Sequence, residues 1–270
     1  MLKRTIVALV LIPLLLVITL WAPEIIAVVF ISAFCAISVN ELLHNTKLLR
    51  HPRMLLYTMF SAFLVPLWCY YGASYAWGLV GILAFFALLF GELMLSHTKI
   101  PVSKATLCLF AGLVLPFLFS ALVRILVRED GRFYILLPFV VAFLSDIGAY
   151  FAGVTLGKHK LCPVISPKKT VEGLVGGVAL AMIGMVVYGL ILQLGFQFKV
   201  NYFAVVIYGL VGSLGGVFGD LCFSVIKRQT GIKDYGNLIP GHGGILDRFD
   251  SVIVVAPLIE ALLLLLPLAG

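Results

Sequence analysis

Two stretches in the second half of the chain carry ionisable and hydroxyl side chains at helical spacing within otherwise apolar sequence. In the first, Ser145-Asp146 leads into Tyr150, Gly153 and Gly157, and then into Ser166-Pro167-Lys168-Lys169-Thr170-Val171-Glu172-Gly173. On one helix Asp146, Tyr150, Gly153 and Gly157 fall at i, i+4, i+7 and i+11, a stripe with a carboxylate that can line a cleft. The competing reading is that Gly148, Ala149, Ala152 and Gly153 only permit close helix packing, with Asp146 as an interhelical hydrogen-bond partner. The following loop favours chemistry. Ser166, Lys168 and Lys169 directly precede a Gly-rich helix, and free amides, two ammonium groups and hydroxyls suit phosphate oxygens. The GxxxxGK[ST] pattern is absent, so this is not a Walker A loop.

The second stretch runs from Gly212 to Ser251. Asp220, Ser224 and Lys227 occupy i, i+4 and i+7, which puts an acid, a hydroxyl and a cation on one helix face, while Gly212, Gly216 and Gly219 leave space beside it. Asp247 and Asp250 lie three apart, and on the first turn of the last helix both carboxylates would point toward one site. Asp220 and Asp247, with Asp250 or Asp146 assisting, form an oxygen-only ligand set of the kind magnesium prefers, and a second cation stays open. Arg228, Lys233 and Arg248 are further candidates for phosphate contacts. Pro240-Gly241-His242-Gly243-Gly244 reads as a flexible turn that brings backbone amides to the same anion, with His242 orienting ligand oxygens. Alternatively these acids only pair with Lys227, Arg228 and Arg248, and His242 caps a turn. So many ionisable groups at the edge of an apolar protein disfavour that alternative, because charge in a bilayer is costly unless it faces a polar cavity.

The elements that position these residues are membrane helices. Of 270 residues 62% are hydrophobic and 11% charged, against roughly 25% charged in soluble domains. About nine runs are long enough to cross a hydrocarbon core, near residues 5–21, 25–43, 54–71, 75–95, 105–127, 133–156, 174–195, 202–225 and 251–268. The expected fold is therefore an all-α, polytopic integral membrane protein. The first run follows Met1-Leu2-Lys3-Arg4 and lacks an Ala-x-Ala-like cleavage site, so it reads as a retained helix. With the N-terminus inside, fifteen of the nineteen Lys and Arg fall in inner segments, and Arg124, Arg128, Arg132 and Lys199 in outer ones. This asymmetry predicts a cytoplasmic N-terminus and a cytoplasmic face for both polar stretches, in a plasma membrane or bacterial inner membrane.

No soluble domain or clear repeat interrupts the chain, which reads as one membrane domain. Residues 1–130 are mainly scaffold, and residues 131–270 carry the active site. Glu41 and Glu92, the charged exceptions in the scaffold, sit near the inner ends of their spans, where carboxylates reach interfacial water. The five cysteines show no CxxC pair or zinc-ligand spacing.

The run Ser224-x-x-Lys227-Arg228-x-x-x-x-Lys233-Asp234, followed by Pro240-x-His242-Gly243-Gly244-x-x-Asp247-Arg248-x-Asp250, resembles the signature of the phosphatidate cytidylyltransferases, or CDP-diacylglycerol synthases. Ser145-Asp146 and the Ser166-Pro167 to Gly173 run also look like that family, with Lys169 at its lysine position. Ile147 departs from it, since threonine often follows the aspartate. The resemblance implies CTP and phosphatidic acid as substrates, CDP-diacylglycerol and pyrophosphate as products, a divalent metal and a homodimer. Among partners it implies membrane lipids and no nucleic acid. A membrane transporter of a nucleotide or lipid phosphate is the alternative, since it too would need intramembrane charge.

Overall fold

A computed structural model describes residues 17–72, 74–97, 99–238 and 243–268. The apolar run at 5–21 lies almost wholly outside the described residues, and His242 lies outside them too. The described elements are α1 (Glu24–Asn40), which runs into a π-helical turn at Glu41–Asn45, α2 (Pro52–Tyr71) and α3 (Tyr75–Leu95). Next come α4 (Val102–Leu109), a second π-turn at Phe110–Val114, α5 (Leu115–Phe119), α6 (Ala121–Leu126) and α7 (Gly131–Tyr134). The chain continues through α8 (Leu137–Thr155), strands β1 (Lys160–Cys162) and β2 (Ser166–Thr170), α9 (Val171–Phe196) and α10 (Tyr202–Gln229). The short α11 (Leu246–Phe249) and α12 (Val252–Leu265) close it.

The fold is thus helical, as hydropathy predicts, and seven of the nine expected spans fall on helices of spanning length among the described residues. Among the described residues seven helices are long and apolar enough to cross a membrane: Glu24–Asn45, Pro52–Tyr71, Tyr75–Leu95, Val102–Leu126, Gly131–Thr155, Val171–Phe196 and Tyr202–Gln229. The run read at 251–268 gives only the 14-residue α12, with Pro257 inside it. At 1.5 Å per residue that is about 21 Å, short of a hydrocarbon core of roughly 30 Å.

The chain divides into two compact units, Met1–Arg132 with Gln229–Phe249, and Phe133–Arg228 with Asp250–Gly270. In the first, α1 and α2 pack side by side, and α2 meets α3 and the second π-turn. Phe249 of α11 inserts edge-on between Phe34 of α1 and Phe119 of α5, with ring centroids 5.2 and 5.6 Å away. Aromatic pairs in this geometry prefer such edge-to-face contact and gain beyond simple burial.

Glycine governs the second unit. At the α8–α9 crossing, a Cβ on Gly148 would meet the Gly176 carbonyl at 2.6 Å, and one on Gly177 would meet the Ser145 carbonyl at 2.7 Å. The same device brings α10 against its neighbours, where an added Cβ on Gly212 would strike Val141 of α8, one on Gly216 would crowd Val255 of α12, and one on Gly219 would strike Val254 of α12 and the Asp250 carbonyl. In lipid, helix association depends on such close backbone approach, because apolar burial between helices gains little there.

Candidate functional site

In the second unit the i, i+4, i+7 face of α10 forms as its spacing predicts. Ser224 donates to Asp220 Oδ1 at 3.2 Å. Lys227 Nζ lies 3.8 Å from Asp250 Oδ2, and both side chains are largely buried. Asp250 reaches α10 because Gly219 has no side chain, a Cβ there standing 2.8 Å from the Asp250 carbonyl. Asp250 Oδ1 also accepts from the Ser251 amide at 2.8 Å. Burial, then the charge of Asp220, raise the Asp250 pKa, with a smaller push from Asp146, while Lys227 opposes the rise. Carboxylates from α8 and α10 therefore both act on Asp250, just ahead of α12.

Residues 160–170 form an antiparallel hairpin, with Lys160 opposite Thr170 and Cys162 opposite Ser166. Successive side chains on a strand point to opposite faces. Lys168 accordingly is exposed while Lys169 is half-buried, with its Nζ 2.5 Å from Asp220 Oδ2. Ser166, half-buried, opens the strand, and Pro167 is tolerated there because the strand is short and at an edge. Two clamps hold the hairpin. Arg228 Nε donates to the Ile165 carbonyl at 3.0 Å. At the base, Glu172 accepts from the His159 amide at 3.2 Å on both oxygens and meets His159 Nδ1 at 2.6 Å. The buried Thr170 caps α9 by accepting from the Gly173 amide at 3.0 Å, which satisfies one otherwise orphaned donor.

The glycine stripe on α8 serves packing. Gly148 faces α9, and added Cβ atoms on Gly153 and Gly157 would meet Thr170 at 3.1 and 2.9 Å. Gly157 lies beyond the end of α8, and Asp146 and Tyr150 are exposed.

Asp247 and Arg248 belong to the first unit, and Lys233 is there as well. The last helix is broken, so Asp247 lies on the separate α11 and not on one continuous turn with Asp250. Asp247 is buried, and its Oδ2 accepts from the amides of Tyr235 at 2.7 Å and Gly244 at 3.0 Å. Gly243 adopts φ +85, and a Cβ on it would stand 2.8 Å from Asp247 Oδ2. Glu41, from the π-turn after α1, accepts from the amides of Ile245 at 3.0 Å and Leu246 at 2.8 Å. Asn45 donates to the Tyr235 carbonyl at 2.8 Å. The amide of Gly244, part of the turn expected to face an anion, is thus taken by the protein's own Asp247, and the next two amides by Glu41. Lys233 and Arg248 are exposed.

Sequence reasoning missed Glu41 and Asn45, and gave no role to His159 or Glu172. The available signal for the first pair was an acid and an amide at i, i+4 closing an apolar run, a spacing that shares one helix face.

Among the described residues no three His, Cys, Asp or Glu side chains converge closely enough to hold a metal ion by themselves. Magnesium commonly takes one or two carboxylates and completes its shell with water and substrate phosphates. Asp220 and Asp250, an oxygen pair whose charges interact, fit that requirement.

The sequence profile of the cytidylyltransferase family matches residues 2–266. The chain is similar to the phosphatidate cytidylyltransferase of Staphylococcus saprophyticus, 39% identical over 190 residues, 69% of each chain. It is also 38% identical over 190 residues, again 69% of each, to the protein of that name from Staphylococcus haemolyticus. The Staphylococcus aureus protein of the same name is 40% identical over 175 residues, 63% of this chain and 64% of its own.

Proposed function

The chain belongs to the cytidylyltransferase family, and from that premise we propose that it joins CTP to phosphatidic acid, releasing CDP-diacylglycerol and pyrophosphate. The observation that carries the site assignment is the pairing of each carboxylate with an ammonium group, Asp220 with Lys169 and Asp250 with Lys227. Such alternating charge suits two polyanionic substrates and a hard cation. The relatives are named as enzymes, and no observation favours transport.

The phosphate of phosphatidic acid is already a nucleophile. Its oxygen attacks the α-phosphorus of CTP and the bond to pyrophosphate breaks, so the reaction calls for positioning and charge stabilisation more than for a strong base. Asp220 and Asp250, with Asp146 or Asp247 assisting, would hold magnesium, which would supply charge neutralisation and alignment of phosphates. Lys169 and Lys227 pair with phosphate oxygens as they leave their carboxylates. Arg228, Lys233 and Arg248 draw the polyanions in, while Ser166, Lys168, Ser224 and His242 contact and orient substrate oxygens.

Phosphatidic acid enters sideways with its acyl chains in the bilayer, and CTP arrives from water. The basic residues support a cytoplasmic N-terminus and a cytoplasmic site. Residues 1–130 act mainly as scaffold and residues 131–270 carry the chemistry, and two copies associate as the family resemblance implies.

The test is purified protein reconstituted with phosphatidic acid, labelled CTP and magnesium, with lipid products resolved, beside Lys227→Ala and Asp247→Ala. Magnesium-dependent CDP-diacylglycerol from the wild type, lost in the folded variants, is expected. Folded wild-type protein that makes no cytidine-linked lipid across metals and lipids would end this reading.

A further inference from the structure

We propose that Glu41 and Asn45 are positioning residues for the cytidylyl transfer, acting as a two-pronged clamp that fixes Tyr235 and the 243–249 segment carrying Asp247 and Arg248. This rests on the reaction proposed above and assigns it residues that lie outside its motifs. Glu41 is 3% exposed. Its two oxygens are divided between consecutive amides, Oε1 on Ile245 and Oε2 on Leu246. One acceptor could hold the loop at a distance, but two fixed acceptors on adjacent amides also set its rotation. That rotation is what aims the next residue, Asp247.

The loop is built around this carboxylate. A Cβ on Gly236 would stand 2.7 Å from Glu41 Oε1, and one on Gly244 would overlap both carboxylate oxygens. Asn45 holds the other end through the Tyr235 carbonyl, while the Tyr235 amide donates to Asp247 itself. Hydrogen bonds thus run from Asn45 to Tyr235, from Tyr235 to Asp247 and from Gly244 to Asp247, while the next two amides, Ile245 and Leu246, return to Glu41. The π-turn Glu41–Asn45 closes the end of α1. Here it presents both clamp residues to the loop. Phe249, seated between Phe34 and Phe119, anchors the far end apolarly, so simple retention of the loop does not require a buried carboxylate.

The experiment compares wild type, Glu41→Gln and Asn45→Ala as full-length protein in lipid nanodiscs. It reads backbone amide exchange over 243–249, together with kcat and the KM for CTP and phosphatidic acid per folded molecule. Glutamine keeps the shape and one acceptor but turns a donor toward an amide. A lost charge-assisted hydrogen bond corresponds to roughly 10- to 100-fold, so exchange at Ile245 and Leu246 should quicken and kcat fall by about tenfold or more. The KM for phosphatidic acid should stay within about twofold, because uniform binding is not what is lost.

Asn45→Ala removes one neutral bond and should lower kcat by about threefold to tenfold. It decides the matter if Glu41→Gln does not fold. Faster exchange with unchanged turnover would overturn the positioning role, and unchanged exchange would overturn the clamp. A wild type without any cytidylyltransferase activity overturns the reaction reading and the positioning role together, and is recognised by that control alone.

Discussion

Replacing Lys169 with methionine should move metal binding and turnover in opposite directions. Lys169 Nζ lies 2.5 Å from Asp220 Oδ2, and each side chain is about a quarter exposed. An ammonium at that distance competes with any cation that uses the same oxygen. A hydrogen bond between charged partners contributes about 1.5 to 3 kcal/mol net. Removing the competitor should therefore tighten nucleotide-free binding of Mn2+, a spectroscopically visible stand-in for magnesium, by roughly 10- to 100-fold at 1.4 kcal/mol per decade. The same lysine is proposed to meet phosphate oxygens during transfer, so kcat should fall by about the same factor. Methionine keeps the length of the stem and leaves Ser224 bonded to Asp220. The assay is Mn2+ titration followed by electron paramagnetic resonance on purified protein without CTP, paired with turnover on the same sample. Mn2+ affinity that is unchanged or weaker in Lys169→Met would refute the exchange of ammonium for metal, and turnover within about threefold of wild type would refute the phosphate contact.

Lys227→Met leaves Asp250 buried beside Asp220 and should destabilise the fold by about 3 kcal/mol, whereas Lys227→Met with Asp250→Asn should recover most of that loss, both being inactive. A thiol-reactive dye reporting on the buried Cys35 and Cys108 can follow the melting. Asp250 has its pKa raised to about 7 by burial and by Asp220. A raised carboxylate pKa contributes stability below its unfolded value that is lost as pH climbs through the folded one, so metal-free protein should melt at lower temperature as pH rises from about 4 to 7. Asp250→Asn should flatten that slope. Gly219→Ala forces Asp250 and Val254 to shift and should cost about 1 to 3 kcal/mol together with activity. Gly91→Ala in α3 meets nothing within 4 Å and should be neutral or stabilising by up to about 1 kcal/mol.

Hydropathy located seven helices within a few residues because the requirement it reads, enough apolar length to cross a bilayer, is local. It overreached at 251–268, where composition alone does not reveal that the chain stops being helical at Leu265. The face of Asp220, Ser224 and Lys227 was legible for the same local reason, since i, i+4 and i+7 are neighbours on any helix. Ser166 to Thr170 read as a loop, because proline and lysines argue against a strand. What makes it one is β1, together with the Arg228 and Glu172 contacts from elsewhere in the chain. Glu41 was the hardest. At the end of an apolar run a carboxylate reaching interfacial water and one buried on two amides look identical, and its partners lie 204 and 205 residues away.

The two units solve the problem of placing negative charge in an apolar protein differently, and the difference follows from what each carboxylate does. In the first unit both oxygens of Glu41 are taken by backbone amides, which are fixed dipoles that nothing displaces during turnover. Such a carboxylate holds a shape. In the second unit Asp220 and Asp250 are matched with Lys169 and Lys227, side chains on flexible stems that can swing to another anion. Lysine carries its charge at a point and forms no rigid fork, so an incoming phosphate can take the ammonium while a metal takes the carboxylate it leaves. The glycines of α10 bring Asp250 close to Asp220 against their repulsion, and the lysines make that proximity tolerable until substrates replace them. Fixed partners for the clamp and exchangeable partners for the site are what a reaction between two polyanions requires of its protein.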